Sequence, residues 1–113
     1  MDEQITCEIT SEGNKRWRLN GKLHRLDGPA VEDIDGFRSW WINGILHRDN
    51  DLPAVEWADG HKEWWINGKL HRESGPAIDM GGWGKTWWIN GKMLDGCDTQ
   101  EQFERLMKLR VFW

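Results

Sequence analysis

Glu63-Trp64-Trp65-Ile66-Asn67-Gly68-Lys69-Leu70-His71-Arg72 decides the fold. Asn-Gly between apolar stretches is the strongest short-range hairpin signal, because a type I′ turn needs positive φ at both central residues. With Asn67-Gly68 as a two-residue loop, Trp65 faces Leu70, Trp64 faces His71 and Glu63 faces Arg72. The same stretch occurs three more times. Its copies are Arg16-Trp17-Arg18-Leu19-Asn20-Gly21-Lys22-Leu23-His24-Arg25, Ser39-Trp40-Trp41-Ile42-Asn43-Gly44-Ile45-Leu46-His47-Arg48 and Thr86-Trp87-Trp88-Ile89-Asn90-Gly91-Lys92-Met93-Leu94-Asp95. The repeat is 23–24 residues long. It predicts an all-β chain, an antiparallel meander of stacked hairpins, closed by one C-terminal helix.

A second block follows each of the first three copies: Gly28-Pro29-Ala30-Val31-Glu32, Leu52-Pro53-Ala54-Val55-Glu56 and Gly75-Pro76-Ala77-Ile78-Asp79. Proline at the start of a strand costs no ladder hydrogen bond. Asp35-Gly36 and Asp59-Gly60 then turn the chain into the next Trp strand. As two-residue loops they set Val31 opposite Trp40 and Val55 opposite Trp64. On that count Val, the first Trp, Ile and His share the core face, which leaves the second Trp of each pair on the other. One extra residue lies between His47 and Pro53 and calls for a bulge or a longer loop.

The ends depart from the pattern, as caps do. Within a single domain of residues 1–113, residues 1–15 form an opening strand (Ile5, Cys7 and Ile9 alternating) and a turn near Gly13-Asn14. Residues 16–97 hold the four hairpin units, and 98–110 form a helix. Thr99-x-x-Gln102 fits a capping box. Phe103, Leu106, Met107 and Arg110 share one stripe of that helix.

Composition narrows the function. The 113 residues carry a net charge of −4 and ten tryptophans. The acidic balance argues against a long nucleic acid bound through its phosphates. No apolar run reaches the roughly 18 residues of a membrane span, and Met1-Asp2-Glu3-Gln4 does not resemble a signal peptide. Two cysteines make no disulfide framework, so a reducing cytoplasm is the expected compartment. No base sits beside a nucleophile and no phosphate-binding glycine loop is present, so the expectation is not an enzyme. Three histidines on three hairpins lack metal-ligand spacing, and neither metal nor cofactor is expected.

The unit resembles MORN-type repeats and their variants. It is closer still to a class of short repeat proteins of tailed phages and large DNA viruses, whose units read roughly W-W-x-N-G-K-x-H-R-x-D-G-P-A. Residues 64–72 with Gly75-Pro76-Ala77 match almost fully, as does the ending Asn90-Gly91-Lys92-Met93-Leu94 through Phe103, and the likeness spans about residues 16–110. Ile45, Leu52 and Arg18 depart from it. The resemblance implies the fold and a viral source, not a function.

Three readings of function follow. The first is a non-catalytic binding protein, phage-encoded, that occludes a host cytosolic defence or metabolic protein. The second is a sponge for a small nucleotide signal, held by Trp and Arg. The third is an architectural or virion accessory protein, and a homodimer is compatible with all three. The candidate binding residues are Trp41, Trp65, Arg48 and Arg72, with Trp57 and Trp83 because they break the repeat: core residues recur, whereas ligand residues need not. Trp83 lies in a glycine-rich segment that displays an aromatic side chain. The His-Arg pairs have a structural reading as well, His against the cross-strand Trp and Arg on a glutamate such as Glu63.

Overall fold

A computed structural model describes residues 4–109. It contains fifteen short strands and one α-helix: β1 (Ile5–Ile9), β2 (Lys15–Leu19), β3 (Lys22–Leu23), β4 (Val31–Glu32), β5 (Arg38–Ser39), β6 (Trp41–Ile42), β7 (Ile45–Leu46), β8 (Val55–Glu56), β9 (Lys62–Glu63), β10 (Trp65–Ile66), β11 (Lys69–Leu70), β12 (Ile78–Asp79), β13 (Lys85–Thr86), β14 (Trp88–Ile89), β15 (Lys92–Met93) and α1 (Gln100–Leu109). The fold is all-β with one C-terminal helix, and every strand pairing is antiparallel.

One sheet runs through the molecule in the order β1-β2-β4-β5-β8-β9-β12-β13, with β3 folded onto β2. Three hairpins, β6-β7, β10-β11 and β14-β15, continue its Trp strands as separate two-stranded pieces. The result is a slab 46 × 35 × 18 Å with a radius of gyration of 16.0 Å. A compact chain of this length would have a radius near 13 Å. The shape is that of a stack of units and not of a ball.

The hairpins form as the sequence predicts. Trp41 pairs with Leu46 and Trp65 with Leu70. Asn43 and Asn67 both have φ 50°, and Gly44 and Gly68 have φ 79° and 78°, the two positive values of a type I′ turn. The helix begins as predicted too. Thr99 Oγ1 accepts from the Gln102 N–H, and Gln102 Oε1 accepts from the N–H groups of Thr99 and Asp98. Phe103 is 1% exposed and packs with Trp87, Ile89 and Cys97, flanked by Leu94, Leu106 and Met107. Arg110, the last member of the predicted stripe, lies outside the described residues.

The opposite turns correct the sequence reading. Asp33 N–H donates to Phe37 O and Gly36 N–H to Asp33 O, so the loop is three residues, Ile34-Asp35-Gly36, and not two. Gly36 takes φ 99°, which closes a type I turn with a bulge. Ala58-Asp59-Gly60 does the same between Trp57 and His61. The extra residue shifts the register by one: Val31 pairs with Ser39, not Trp40, and Val55 with Glu63, not Trp64. A one-residue shift moves a side chain to the other face. Val31 and Val55, 6% and 5% exposed, therefore lie in the row that the second Trp of each pair covers, and the first Trp occupies the opposite face.

Each face then has its own logic. On one, the cross-strand partners are Lys15, Glu32, Arg38, Glu56, Lys62, Asp79 and Lys85, strictly alternating in charge across seven strands. Opposite charges in facing positions stabilise a sheet and like charges destabilise it, so the row favours this pairing over one that sets like charges opposite. On the other face lie Val31, Ser39, Val55, Glu63, Ile78 and Thr86. The alanines between the faces, Ala30, Ala54 and Ala77, are completely buried. Their carbonyls accept the N–H of Trp17, Trp40 and Trp64.

Candidate binding surface

The residues that recur in every unit are used to join units. Each His accepts, at Nδ1, the Asn N–H of the next hairpin: His24 from Asn43, His47 from Asn67 and His71 from Asn90, all at 2.9 Å. An acceptor Nδ1 carries no proton, so the ring's hydrogen is on Nε2. There it meets Asp49 beside His47 (2.7 Å) and Glu73 beside His71 (3.1 Å). The following glycine N–H groups, of Gly44, Gly68 and Gly91, donate at 2.8 Å to the Leu23, Leu46 and Leu70 carbonyls of the preceding unit. In return Arg25, Arg48 and Arg72 donate their backbone N–H to Trp41, Trp65 and Trp88. The histidines thus staple one hairpin tip to the next, a role the sequence did not suggest.

The arginine side chains are equally committed. The guanidiniums of Arg25, Arg48 and Arg72 lie 3.7–3.8 Å over the rings of Trp17, Trp40 and Trp64. Each also donates to the carbonyl of Pro29, Pro53 or Pro76. Arg25 reaches Glu32 and Arg48 reaches Glu56, whereas Arg72 binds Asp51 from the unit before it. Glu63, the partner suggested by the sequence, instead accepts the indole N–H of Trp65. A Cβ on Gly28 would come within 2.8 Å of Arg25, and one on Gly75 within 3.0 Å of Arg72. The glycine before each of these two prolines keeps the path of the guanidinium clear. Burial pulls the Asp51 carboxyl upward, but hydrogen bonds from Arg72 and Ser74 outweigh it and hold the group below the ordinary Asp range. Beside Glu32, Asp33 is engaged as well, since Arg16 donates to it at 2.6 Å.

Of the six candidate residues, four lie inside this framework. Arg48 and Arg72 are the clamps just described. Trp41 and Trp65 are half-buried, and their indole N–H groups are bound by Ser39 and Glu63 two residues back. Between successive arginines run shallow grooves. The first, about 240 Å³, includes Arg25, Trp40, Ile42, His47 and Arg48 in its wall. The next, about 360 Å³, includes Arg48, Trp64, Ile66, His71 and Arg72.

The other two candidates stand on the three-residue turns, which follow one another along the side of the slab opposite the Asn-Gly tips. Trp57 precedes the third turn and meets Phe37 edge-on at 5.3 Å and His61 at 4.2 Å between ring centroids. Its 36% exposure leaves part of the ring in solvent. Trp83 is 92% exposed. It occupies the turn position held by Gly13, Gly36 and Gly60 in the other three turns, within a single 3₁₀ turn, Gly81–Trp83. Two further apolar side chains on this side escaped the sequence reading, Ile34 (70% exposed) and Met80 (40%), and Ile9 (63%), read as part of the opening strand, lies beside them. The signal was present, since turn positions are ordinarily polar.

Cys97 is buried, and burial, with the neighbouring Asp98 carboxylate, pushes its thiol up, away from the reactive thiolate. Among the described residues no cluster of three or more His, Cys, Asp or Glu side chains could hold a metal ion, and no helix is long and apolar enough to cross a membrane. Comparison of the chain with protein-family models, with curated proteins and with solved structures finds no match in any of the three.

Proposed function

We propose that the chain is a non-catalytic binding scaffold that engages another protein along its three-residue turns, with Trp83 as the anchor. A nearly fully exposed Trp at a turn where three sibling units carry glycine is the observation that supports this. It adds nothing to the packing of the slab, and tryptophan is enriched among the residues that dominate binding energy at protein interfaces. Trp57, Met80 and Ile34 extend the apolar surface on either side. The resemblance to phage and viral repeat proteins carries the proposal one step further, to a phage-encoded protein that occludes a host cytosolic target.

The test compares capture from a bacterial lysate by the wild-type chain and by Trp83→Ala. A protein retained by the first and lost by the second, at equal thermal stability, supports the proposal. A partner retained equally by both excludes Trp83 as the anchor.

The nucleotide sponge draws support from the 360 Å³ groove between Arg48 and Arg72, which lies within the size range of small-ligand pockets. Both guanidiniums are already engaged there by tryptophan rings and carbonyls. A phosphate would have to displace those contacts. A panel of nucleotides distinguishes the two readings: a ligand at 100 times its Kd adds about 2.7 kcal/mol of stability.

A further inference from the structure

The two ends of the sheet are finished differently. At the C-terminal end the repeat is stopped. Leu94 and Asp95 replace His and Arg, so a further unit would find no imidazole to accept its Asn N–H. The start of α1 lies against the last unit, with the Trp87 indole N–H on Gln100 Oε1 and the Gln100 amide on the Ser74 carbonyl. At the N-terminal end nothing comparable occurs among the described residues. Among the described residues strand β1 pairs with β2 alone, and all five of its residues are exposed, with Ile5 at 47% and Ile9 at 63%. Edge strands are ordinarily blunted by lysine, proline or a bulge. Ile5-Thr6-Cys7-Glu8-Ile9 has none of these, and with β2 it is the longest strand of the sheet.

The outward-facing backbone groups can be assigned. Trp17 donates its N–H to Ala30 and accepts from His24, so its polar groups point away from β1. Cys7 faces Trp17 in the register, and Ile5 and Ile9 share its parity. The N–H and C=O groups of Ile5, Cys7 and Ile9 therefore point to the open edge.

We propose that β1 pairs with β1 of a second copy of this chain, antiparallel and centred on Cys7, to give a two-fold dimer with one continuous sheet. The strand is self-complementary in that register. Ile5 faces Ile9 of the second copy, Cys7 faces Cys7, and Thr6 faces Glu8, so apolar meets apolar and no two like charges are opposed. About six backbone hydrogen bonds form, and the two Cys7 Cα atoms come within about 5.5 Å. The pairing extends the antiparallel alternation of the whole sheet. It is isologous and closes at two copies, whereas the halted C-terminal end prevents head-to-tail growth.

The experiment is sedimentation equilibrium of the full chain over a range of concentrations, with two variants, and bismaleimide cross-linking with a short spacer. The expected wild-type mass is twice 13.3 kDa. Cys7→Pro removes an N–H that serves no bond within the chain, and Ile5→Lys sets a charge against the Ile9 of the second copy; both should sediment as monomers with an unchanged near-ultraviolet tryptophan spectrum. If Cys7→Pro unfolds, Ile5→Lys decides. The cross-link should form through Cys7 and vanish in Cys7→Ser, since Cys97 is buried. A wild-type mass of 13.3 kDa at every concentration overturns the proposal. So does a dimer that survives Ile5→Lys or fails to cross-link at Cys7.

Discussion

The Asn-Gly tips and the three-residue turns sit at opposite ends of the same strands, yet they have little in common. The tips are nearly identical from unit to unit. From the second onward, each is bonded to its predecessor through an imidazole and a leucine carbonyl. The turns share a hydrogen-bonding pattern, but their first positions hold Ser11, Ile34, Ala58 and Gly81, and the third, glycine in the first three turns, is Trp83 in the last. A position that must fit the next unit is held constant by that fit. A position that faces solvent is free to vary, and the exposed Trp83, the proposed anchor, stands at one of these. One end builds the stack, and the other carries the surface proposed to bind.

Substitutions on the two sides should separate accordingly. The largest effect belongs to the first Trp of the pair. Trp64→Ala removes a ring 7% exposed, the seat of Arg72 and an indole N–H bond to the Asp51 carbonyl. Urea denaturation should show a loss of about 3–5 kcal/mol. His24→Ala leaves the Asn43 N–H without its acceptor inside the stack and should cost about 1–3 kcal/mol by the same assay. Substitution of His47, whose unit is more exposed, should cost less.

Asp51→Asn sharpens the comparison by pH. The folded carboxyl is held below its ordinary value, so its contribution is fully present above the ordinary carboxylate range and fades as pH falls through the folded value. The side chain is 50% exposed, so solvent screening keeps the difference between wild type and variant below about 1 kcal/mol at neutral pH. Denaturation at neutral and at strongly acidic pH should show that difference shrinking towards zero. Smallest of all, Trp83→Ala should change stability by no more than about 0.5 kcal/mol. A loss like that of Trp64→Ala would place Trp83 in the scaffold and erase the contrast between the two sides.

Much of the scaffold was legible in the sequence, because hairpin register follows from Asn-Gly and period-two alternation. Trp65 opposite Leu70 and the Thr99–Gln102 cap needed nothing further. The misplaced valines have an equally local cause. Asp-Gly serves two-residue and three-residue loops alike, and only the hydrogen bonds of Asp33 and Gly36 separate them. The imidazole staple was not legible, since its two members are 19 or 20 residues apart in different hairpins. Nor was the seat of each arginine on the first Trp: after His47 the backbone leaves its own hairpin to bond Trp65 of the next, and strand parity ends there. Trp57 and Trp83 were legible as departures from the repeat, and their exposure follows from the turns that carry them. Ile34 and Met80 were overlooked because attention to tryptophan passed over smaller apolar groups in the same turns.

Amide hydrogen exchange measured residue by residue tests the stacking most directly. Asn43, Gly44, Asn67, Gly68, Asn90 and Gly91 are all exposed side-chain positions, yet their N–H groups are bonded to the preceding unit. Asn20 and Gly21 form the same turn, with no hairpin unit before it among the described residues. The account predicts slow exchange at the first six and fast exchange at Asn20 and Gly21. Equally fast exchange at all four tips would contradict it.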